Sequence, residues 1–383
     1  MAGRKQELKN EPVWRSDPHT QVKHLVYRHY LQCWMGKILQ TFKEATIVDA
    51  FAGPGVYKDG PPGSPIVVAK TFLEHSARGR FNRLNLICLE ERPDRVEELR
   101  RQIDLLPRDP RLRITVAEPG RAVDRQAELS ALAHQGDPDR PVLWLLDPFN
   151  LKSLPFELVK ACTQGRRDEV LVSLFTGELH RFCEQPAFAP VMDAYFGGGA
   201  WQSAVGKSGQ VTRKEAFADA YREALGEAGL LSGHFGIQVS RDSARYHLVL
   251  ATHSEAGLAC WNPVKWKLDA YTGKGASAHD IAQLGLFGEA DVSSLESALR
   301  AHSGMEWSWS ALTSEALRLG YKEAHLRTAL DDLAQEGLAF RVQPVKANTR
   351  WPHDSVVRFY NEEDLEEDGF EDIEADSGQG RLV

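Results

Sequence analysis

Residues 45–57 read ATIVDAFAGPGVY, and this stretch decides the predicted fold. A short apolar run ends at Asp49, and Phe51, Gly53 and Gly55 follow at every second position. A buried strand that leads into a glycine-containing turn is typical of the first unit of a doubly wound α/β sheet. Because glycine has no Cβ, such a turn lets the backbone approach a ligand closely.

Further apolar runs alternate with helical stretches along the next part of the chain. The predicted strands cover residues 45–51, 84–90, 111–117, 141–147 and 169–175, and the predicted helices cover 18–43, 64–77, 93–106, 120–134 and 155–165. Runs rich in Val, Ile and Leu suit parallel strands that are covered on both faces. A helix at 213–229 and two strands at 234–240 and 246–253 follow. Five parallel strands and a terminal antiparallel hairpin predict a Rossmann-like class I methyltransferase domain over residues 18–275.

The glycine turn is poorly suited to phosphate. The pattern G-x-x-x-x-G-K-[ST] is absent, Phe51 takes the first slot of a dinucleotide-type loop, and Pro54 has no N–H to offer an anion. Asp49 would repel a pyrophosphate but attract a cation. The sulfonium and ammonium groups of S-adenosylmethionine are positive, and the sequence therefore predicts this cofactor.

Acidic residues stand at three successive strand ends. Asp49 would face the cationic part of the cofactor, Glu90 its ribose hydroxyls, and Glu118 its adenine amine. Each acid alone could be a solvated strand end, but their order along the chain favours a shared site. The interval from Asp49 to Glu90 exceeds the ~20 residues usual for this fingerprint. The predicted cofactor-binding residues are Asp49, Phe51, Gly53, Gly55, Glu90 and Glu118.

The fourth strand ends in LLDPFN, residues 145–150. Enzymes that methylate an exocyclic amine use [DNS]-P-P-[YFW] at this place: an acid or amide and a proline carbonyl accept from the amine, and the aromatic ring stacks on the base. Positioning carries much of such a reaction. Asp147, Pro148 and Phe149 are therefore the predicted catalytic residues, although the second proline is missing. The alternative is an Asp-Pro turn that caps the helix at 155.

Residues 285–360 have a different pattern. Three amphipathic helices at 291–304, 309–320 and 322–337 precede two strands at 338–345 and 356–360, which predicts a winged helix. The helix at 322–336 would read a nucleic-acid groove or serve in protein docking. Its later acidic residues would repel phosphate, which favours docking.

Charge and cysteine content limit the alternatives. Residues 361–383 carry ten acids and one base, so the net charge of −8 leaves +1 for residues 1–360; nucleic acid is permitted but not indicated. We expect this acidic tail to be disordered, either solvated or acting as a self-inhibitory mimic of nucleic acid. Residues 1–17 are expected to be flexible.

Five scattered cysteines without C-x-x-C predict no disulfide framework and no metal site, and fit a reducing, cytoplasmic location. No apolar run is long enough for a membrane span.

Five blocks of the chain resemble the three-Cys-motif partner family (TcmP-like), predicted class I methyltransferase-like proteins. They are KHLVYRHYLQCW (23–34), VDAFAGPGVY (48–57), GSPIVVA (63–69), LLDPFN (145–150) and YHLVLATHSEAGLACWNPVKWKLD (246–269). The resemblance implies a radical-SAM-like partner protein that carries three cysteines, and it does not establish a substrate. The second and third blocks are also similar to ribosomal RNA adenine-N6 methyltransferases. The family commonly has glycine where Asn150 stands.

Three functional hypotheses follow from these patterns. The first is methylation of an exocyclic amine of a DNA or RNA base, with the basic helix at 18–43 either meeting phosphates or packing on the sheet edge. The second is a catalytically degenerate methyltransferase fold that serves as a scaffold or a regulatory nucleic-acid-binding subunit. The third is methylation of a small molecule or a protein.

Overall fold

The computed structural model describes residues 11–240, 243–281, 289–344 and 349–361. The chain divides into two compact units, Met1–Glu289 and Ala290–Val383.

The first unit is built on a sheet of eight strands. The strands are β1 (Glu44–Asp49), β2 (Arg83–Cys88), β3 (Leu112–Val116), β4 (Val142–Leu146), β5 (Asp168–Leu174), β6 (Leu231–Ser240), β7 (Ser243–Thr252) and β8 (Gly275–Ser277). Their spatial order is β3-β2-β1-β4-β5-β7-β6-β8. The first five strands are parallel, and β7 runs antiparallel to both β5 and β6. The predicted sheet with its closing hairpin is confirmed, and β8 adds a short edge strand that the sequence did not indicate.

Helices cover both faces of this sheet. They are α1 (Pro18–Thr41), α2 (Ser64–Leu73), α3 (Pro93–Asp104), α4 (Ala122–His134), α5 (Phe156–Ala161), α6 (Thr176–Phe182), α7 (Ala189–Phe196), α8 (Gln202–Val205), α9 (Gln210–Glu227), α10 (Glu255–Leu268) and α11 (Ala278–Ile281). Neighbouring residues of one strand enter different cores: Ile47 joins the core with α1, α2 and α10, and Val48 the core with α4, α5 and α9. This alternation explains why the parallel strands read as continuous apolar runs.

Helix α1 packs against the sheet through a largely apolar face. Val26 and Leu31 are fully buried, which supports the packing alternative over a phosphate-binding role for this helix. Cys33 on α1 and Cys260 on α10 form a disulfide with a Cα–Cα distance of 5.6 Å. The expectation that the cysteines stay reduced is wrong for this pair. The sequence could not reveal the pairing, because the two residues are 227 positions apart and only the fold brings them together.

Residues 11–17 belong to the N-terminus that we predicted to be flexible. Here they pack on the loop after β1. The backbone N–H and the hydroxyl of Ser16 both donate to Asp59, at 2.7 and 2.6 Å. The carbonyl of Trp14 accepts from the N–H of Lys58, at 2.9 Å, and the Trp14 side chain is buried. This segment therefore forms part of the folded unit.

The second unit contains three helices and a three-stranded antiparallel sheet. The helices are α12 (Ser293–Arg300), α13 (Trp309–Arg318) and α14 (Glu323–Gln335), and the strands are β9 (Glu306–Ser308), β10 (Ala339–Gln343) and β11 (Val356–Phe359) in the order β10-β11-β9. Leu295, Leu312 and Leu330 are buried in its core. The three helices and the β10–β11 hairpin agree with the sequence prediction, whereas β9 was not predicted.

The acidic tail beyond residue 361 lies outside the described residues. Within the described ranges, no helix has the length and apolarity that crossing a bilayer requires.

Candidate active site

The site is defined by the point where the strand order reverses. Strands β1 and β4 are neighbours there, with Asp49 opposite Leu145 in the parallel register. Asp49 is the last residue of β1, and Asp147 directly follows β4. Ligands of open α/β sheets bind in the crevice outside the carboxyl ends of such strands. The two carboxylates predicted from sequence therefore flank one crevice.

The glycine turn after β1 has the backbone conformation that its composition predicts. Gly53 and Gly55 have φ angles of 62° and 76°, in the left-handed region that favours glycine. The carbonyl of Gly55 accepts from the N–H of Gly63, the residue before α2, at 2.8 Å. A Cβ on Gly63 would lie 2.9 Å from the carbonyl carbon of Gly55, so only glycine fits this close approach.

Glu90 fixes the same turn from the end of β2. One carboxylate oxygen accepts from the N–H of Gly53 and the other from the N–H of Arg92, each at 3.0 Å. The Arg95 guanidinium lies 3.8 Å away. Burial raises the pKa of Glu90, while these N–H donors and Arg95 oppose the rise. Glu90 therefore holds the glycine turn in place.

Asp49 is almost completely buried beside this turn. Its Oδ1 accepts from the N–H of Phe51 at 3.3 Å, and its Oδ2 has no hydrogen-bond partner among the described residues. Burial, with a smaller contribution from the nearby Asp147 carboxylate, raises the pKa of Asp49 from 3.8 to about 7, although the Ser64 side chain and the Phe51 N–H oppose the rise. A buried acceptor without a partner is costly unless a ligand satisfies it.

Asp147 forms an ion pair with Lys23 of α1, in which the ammonium donates to Oδ2. Seven per cent of the Lys23 side chain and 25% of the Asp147 side chain are exposed. Burial by itself would lower the pKa of Lys23, but the Asp147 carboxylate and nearby tyrosines leave it raised well above the usual value. For Lys23, within the basic helix at 18–43, the sequence predicts either a contact with phosphate or packing on the sheet edge. Its ammonium instead lies inside the fold, against the predicted catalytic acid.

A cavity of about 200 Å³ opens at the carboxyl ends of the first four strands. Its lining comes from the segments after β1, β2, β3 and β4: Ala50, Phe51, Glu90, Glu91, Arg92, Arg95, Gly120, Arg121, Ala122, Val123, Phe149, Lys152 and Ser153. The structure thus brings Phe51, Glu90 and Phe149 to one cavity. Asp49, Gly53, Gly55 and Asp147 lie beside it without lining it. Glu118 is exposed and is not part of the lining, and its contact with adenine stays a prediction.

An aromatic and cationic cluster covers one side of this region. The Phe149 side chain is 48% exposed, and its ring packs edge-on against Trp14 with 5.6 Å between the ring centroids. The Arg95 guanidinium lies 4.5 Å from the Trp14 ring and 5.1 Å from the Phe149 ring. Trp14 also lies against Gly53, at 3.6 Å from the position of an added Cβ. Neither Trp14 nor Arg95 stands out in the sequence, because the fold alone brings them to the turn.

Pro148 and Asn150, on either side of Phe149, do not line the cavity, and a catalytic role of Pro148 stays a prediction. Pro148 is buried, and the side chain of Asn150 accepts from the N–H of Ser153 at 3.2 Å. This bond caps the short 3₁₀ turn Leu151–Ser153 that precedes α5. The capping role that was considered for the Asp-Pro turn is therefore filled by the side chain of Asn150. The Asp147 side chain instead bonds to Lys23.

Two basic residues of α14, the helix predicted to read a groove or to dock a protein, are engaged within the second unit. His325 of α14 is buried. Arg327 donates to Glu323 at 2.8 Å and lies 4.5 Å from the ring of Trp309. These contacts leave the two side chains as parts of the packed unit.

Comparison with known proteins gives distant structural neighbours only. No model of a protein family and no curated protein matches the chain. Trm1 from Pyrococcus horikoshii, solved with S-adenosyl-L-methionine, has 13% identity and a TM-score of 0.37 over 67% of this chain and 60% of that chain. A DUF574 family protein from Streptomyces avermitilis has 14% identity and a TM-score of 0.33 over 60% and 83% of the two chains. An O-methyltransferase from Bacillus cereus in complex with SAH has 11% identity and a TM-score of 0.31 over 66% and 97%.

Proposed function

We propose that the protein is an S-adenosylmethionine-dependent methyltransferase. The observation that carries this proposal is the buried Asp49 Oδ2, which has no partner among the described residues and lies beside a glycine turn in left-handed conformation. A cationic ligand at the turn would satisfy this oxygen and favour the ionised carboxylate. A phosphate would be repelled by it.

Glu90 fits the ribose of the same cofactor. It lines the cavity with both oxygens already oriented by backbone N–H donors, and a carboxylate has further lone pairs that can accept from two hydroxyls. Phe51 and Ala122 offer apolar walls to an adenine ring. When bound, S-adenosylmethionine supplies a methyl group on a positively charged sulfur.

We further propose that the acceptor is an exocyclic amine of a nucleic-acid base. The Oδ2 atom of Asp147 is bound to Lys23, which leaves Oδ1 to accept a hydrogen bond from an amine and to orient its nitrogen lone pair. The half-exposed ring of Phe149 would stack on the base. Such a base would be reached in a single strand or by flipping it out of a duplex.

We assign delivery of the acceptor to a partner protein and to the second unit. The resemblance to the three-Cys-motif partner family implies a radical-SAM-like partner protein that would present or select the substrate. The three helices and antiparallel sheet of the second unit fit a winged helix, which would contact DNA, RNA or that partner. Since His325 and Arg327 are engaged internally, nucleic-acid contacts of this unit would use other residues.

Two measurements test the enzyme hypothesis. Calorimetry with S-adenosylmethionine should show binding by the full chain, greatly weakened in Asp49→Asn and Glu90→Ala. Tritiated methyl transfer to DNA, RNA and protein acceptors, with and without the three-cysteine partner, should show an acceptor whose labelling is lost in Asp147→Asn. Labelling that persists in Asp147→Asn would remove Asp147 from the chemistry.

The second candidate function is a non-catalytic scaffold. Its support is that the cavity, about 200 Å³, is smaller than the ~300–1,000 Å³ usual for ligand pockets, with Trp14 lying on the glycine turn and Lys23 bound to Asp147. Calorimetry separates the two functions: a scaffold of this kind gives no binding heat with the cofactor.

A further inference from the structure

Helix α9 and the hairpin β6–β7 bring together three side chains that commonly ligate metals: Glu215, His234 and His247. Their ligand atoms all lie within 4.8 Å of one another. The Nε2 of His247 is 3.0 Å from one oxygen of Glu215, and the Nε2 of His234 is 3.2 Å from the other. Ligand atoms of a tetrahedral zinc site, with bonds of about 2.0–2.1 Å, lie about 3.3 Å apart. The two histidine–carboxylate spacings are already close to this value.

The His247 ring is fixed by a second bond on its opposite side. Its Nδ1 lies 2.9 Å from the hydroxyl oxygen of Thr176, the first residue of α6. The ring is fully buried, and Gly236 stands opposite it on β6, where an added Cβ would be 3.4 Å from His247 Nε2. A ligating histidine usually gives its other ring nitrogen to such a partner, which sets the tautomer and the ring orientation. Here the bond presents Nε2 to Glu215.

The second histidine is placed by the same hairpin. His234 pairs with Val249 in the antiparallel register, two residues along β7 from His247. The two imidazole rings have centroids 5.3 Å apart at an interplanar angle of 72°. Both histidines therefore lie on paired strands, and a rigid ladder, not a loop, sets the distance between them.

Charged side chains of both signs surround the cluster. The Asp219 carboxylate lies 3.9 Å from His234 Nδ1 and 3.7 Å from the guanidinium of Arg222. Burial lowers the pKa of the neighbouring Lys265 to about 8, and Arg222 contributes to that shift. About a third of the Glu215 side chain is exposed, which gives an ion and its remaining water ligand a path of entry.

We propose that Glu215, His234 and His247 bind one Zn²⁺ ion, with solvent in the fourth position. Two imidazoles and one carboxylate are a ligand set that zinc accepts, and the ion would join α9 to the β6–β7 hairpin. The prediction of no metal site rested on cysteine spacing, which cannot reveal ligands contributed by a helix and two strands. The site uses none of the residues assigned to methyl transfer. A test of zinc binding is therefore independent of the proposed function.

The test uses the full chain without an affinity tag, stripped with a chelator and titrated with Zn²⁺ by calorimetry and with Co²⁺ by visible absorption. We expect one equivalent of each ion and Co²⁺ ligand-field bands in the wild type. Glu215→Gln and His234→Gln should abolish both. Thr176→Val should weaken Zn²⁺ binding by on the order of 10- to 100-fold, as loss of a histidine's outer partner does.

The matched control is His353→Ala, which removes an imidazole that is 76% exposed in the second unit and should leave both titrations unchanged. Circular dichroism verifies folding of each variant, and Glu215→Gln, at a partly exposed position, is chosen to keep the fold. Absence of stoichiometric binding by the wild type would overturn the proposal. So would binding that persists in both Glu215→Gln and His234→Gln.

Discussion

The ammonium of Lys23, on α1, donates to the carboxylate of Asp147, directly after β4. This ion pair connects the N-terminal helix to Asp147, the residue that we propose orients the amine of the methyl acceptor. Because the Lys23 side chain is only 7% exposed, its charge depends on Asp147 for compensation. In the proposed function Lys23 would be a positioning residue, which holds Oδ2 of Asp147 so that Oδ1 can accept from the amine.

Replacement of Lys23 by methionine tests this relationship. Loss of a hydrogen bond to a charged group should lower the free energy of unfolding by about 1.5–3 kcal/mol. Methyl transfer should fall on the order of 100-fold, since Asp147 loses its fixed orientation, while cofactor affinity stays nearly unchanged. Urea denaturation, calorimetry and kcat measurements check the three effects. Lys37→Met, at an exposed position of the same helix, is the control; a wild-type kcat in Lys23→Met would contradict the assignment.

The pKa of Asp49 predicts a pH-dependent stability difference. Burial raises this pKa from 3.8 to about 7, so between these values the folded protein holds a proton that the unfolded chain releases. The resulting stabilisation is lost as the pH rises toward 7. Asp49→Asn lacks this titration and should gain stability relative to wild type, by up to about 4 kcal/mol, between pH 4 and pH 8. Urea denaturation at several pH values measures the difference; a constant offset would contradict the prediction.

Cofactor binding should be linked to the same proton. A cationic ligand favours ionised Asp49, so binding of S-adenosylmethionine at pH 6 should release protons and weaken as the pH falls below 7. Calorimetry in buffers with different ionisation enthalpies counts the released protons. Asp49→Asn should release fewer protons, and equal proton release in both proteins would show that another group titrates.

Glu90→Gln should loosen the glycine turn. The substituted amide keeps one acceptor, but its NH₂ group faces one of the two backbone donors that Glu90 now satisfies, from Gly53 and Arg92. The expected loss of folding stability is about 1.5–3 kcal/mol, with faster hydrogen exchange at the Gly53 amide. Glu97→Gln, at an exposed position of α3, is the matched control. Unchanged exchange at Gly53 in Glu90→Gln would argue against the holding role.

Gly63→Ala tests the close approach between the glycine turn and α2. The added methyl would meet the backbone of Gly55 at 2.9 Å, and backbone cannot move aside cheaply. We expect a loss of about 1–3 kcal/mol of stability and a large loss of cofactor affinity, measured by denaturation and calorimetry. Gly79→Ala serves as the control, because an added Cβ there meets nothing within 4 Å. Similar behaviour of the two variants would contradict the packing argument.

The sheet could be predicted from sequence because each strand is marked by the residues of its own short segment. Each apolar run is short and bounded, and the strand ends at Asp49, Glu90 and Asp147 follow directly from where those runs stop. Parallel strands place their carboxyl ends at one edge, so these acids had to lie near one another.

The partners of these acids could not be predicted in the same way. Lys23 and Trp14 reach the crevice through the packing of α1 and the N-terminal segment, which no periodic pattern specifies. The disulfide joins helices far apart in the chain, and the Glu215 cluster depends on how α9 packs on the hairpin that follows it. Such contacts are set by tertiary packing, and a single sequence carries no local signal for them.

The bond between Cys33 and Cys260 makes most of the first unit a covalent ring. Every strand from β1 to β7 lies between the two sulfur atoms, and the cross-link spans 227 residues. A protease that cuts one loop inside this ring would not separate the two fragments until a reductant was added. Electrophoresis of nicked protein with and without thiol would therefore report directly on whether this bond is present.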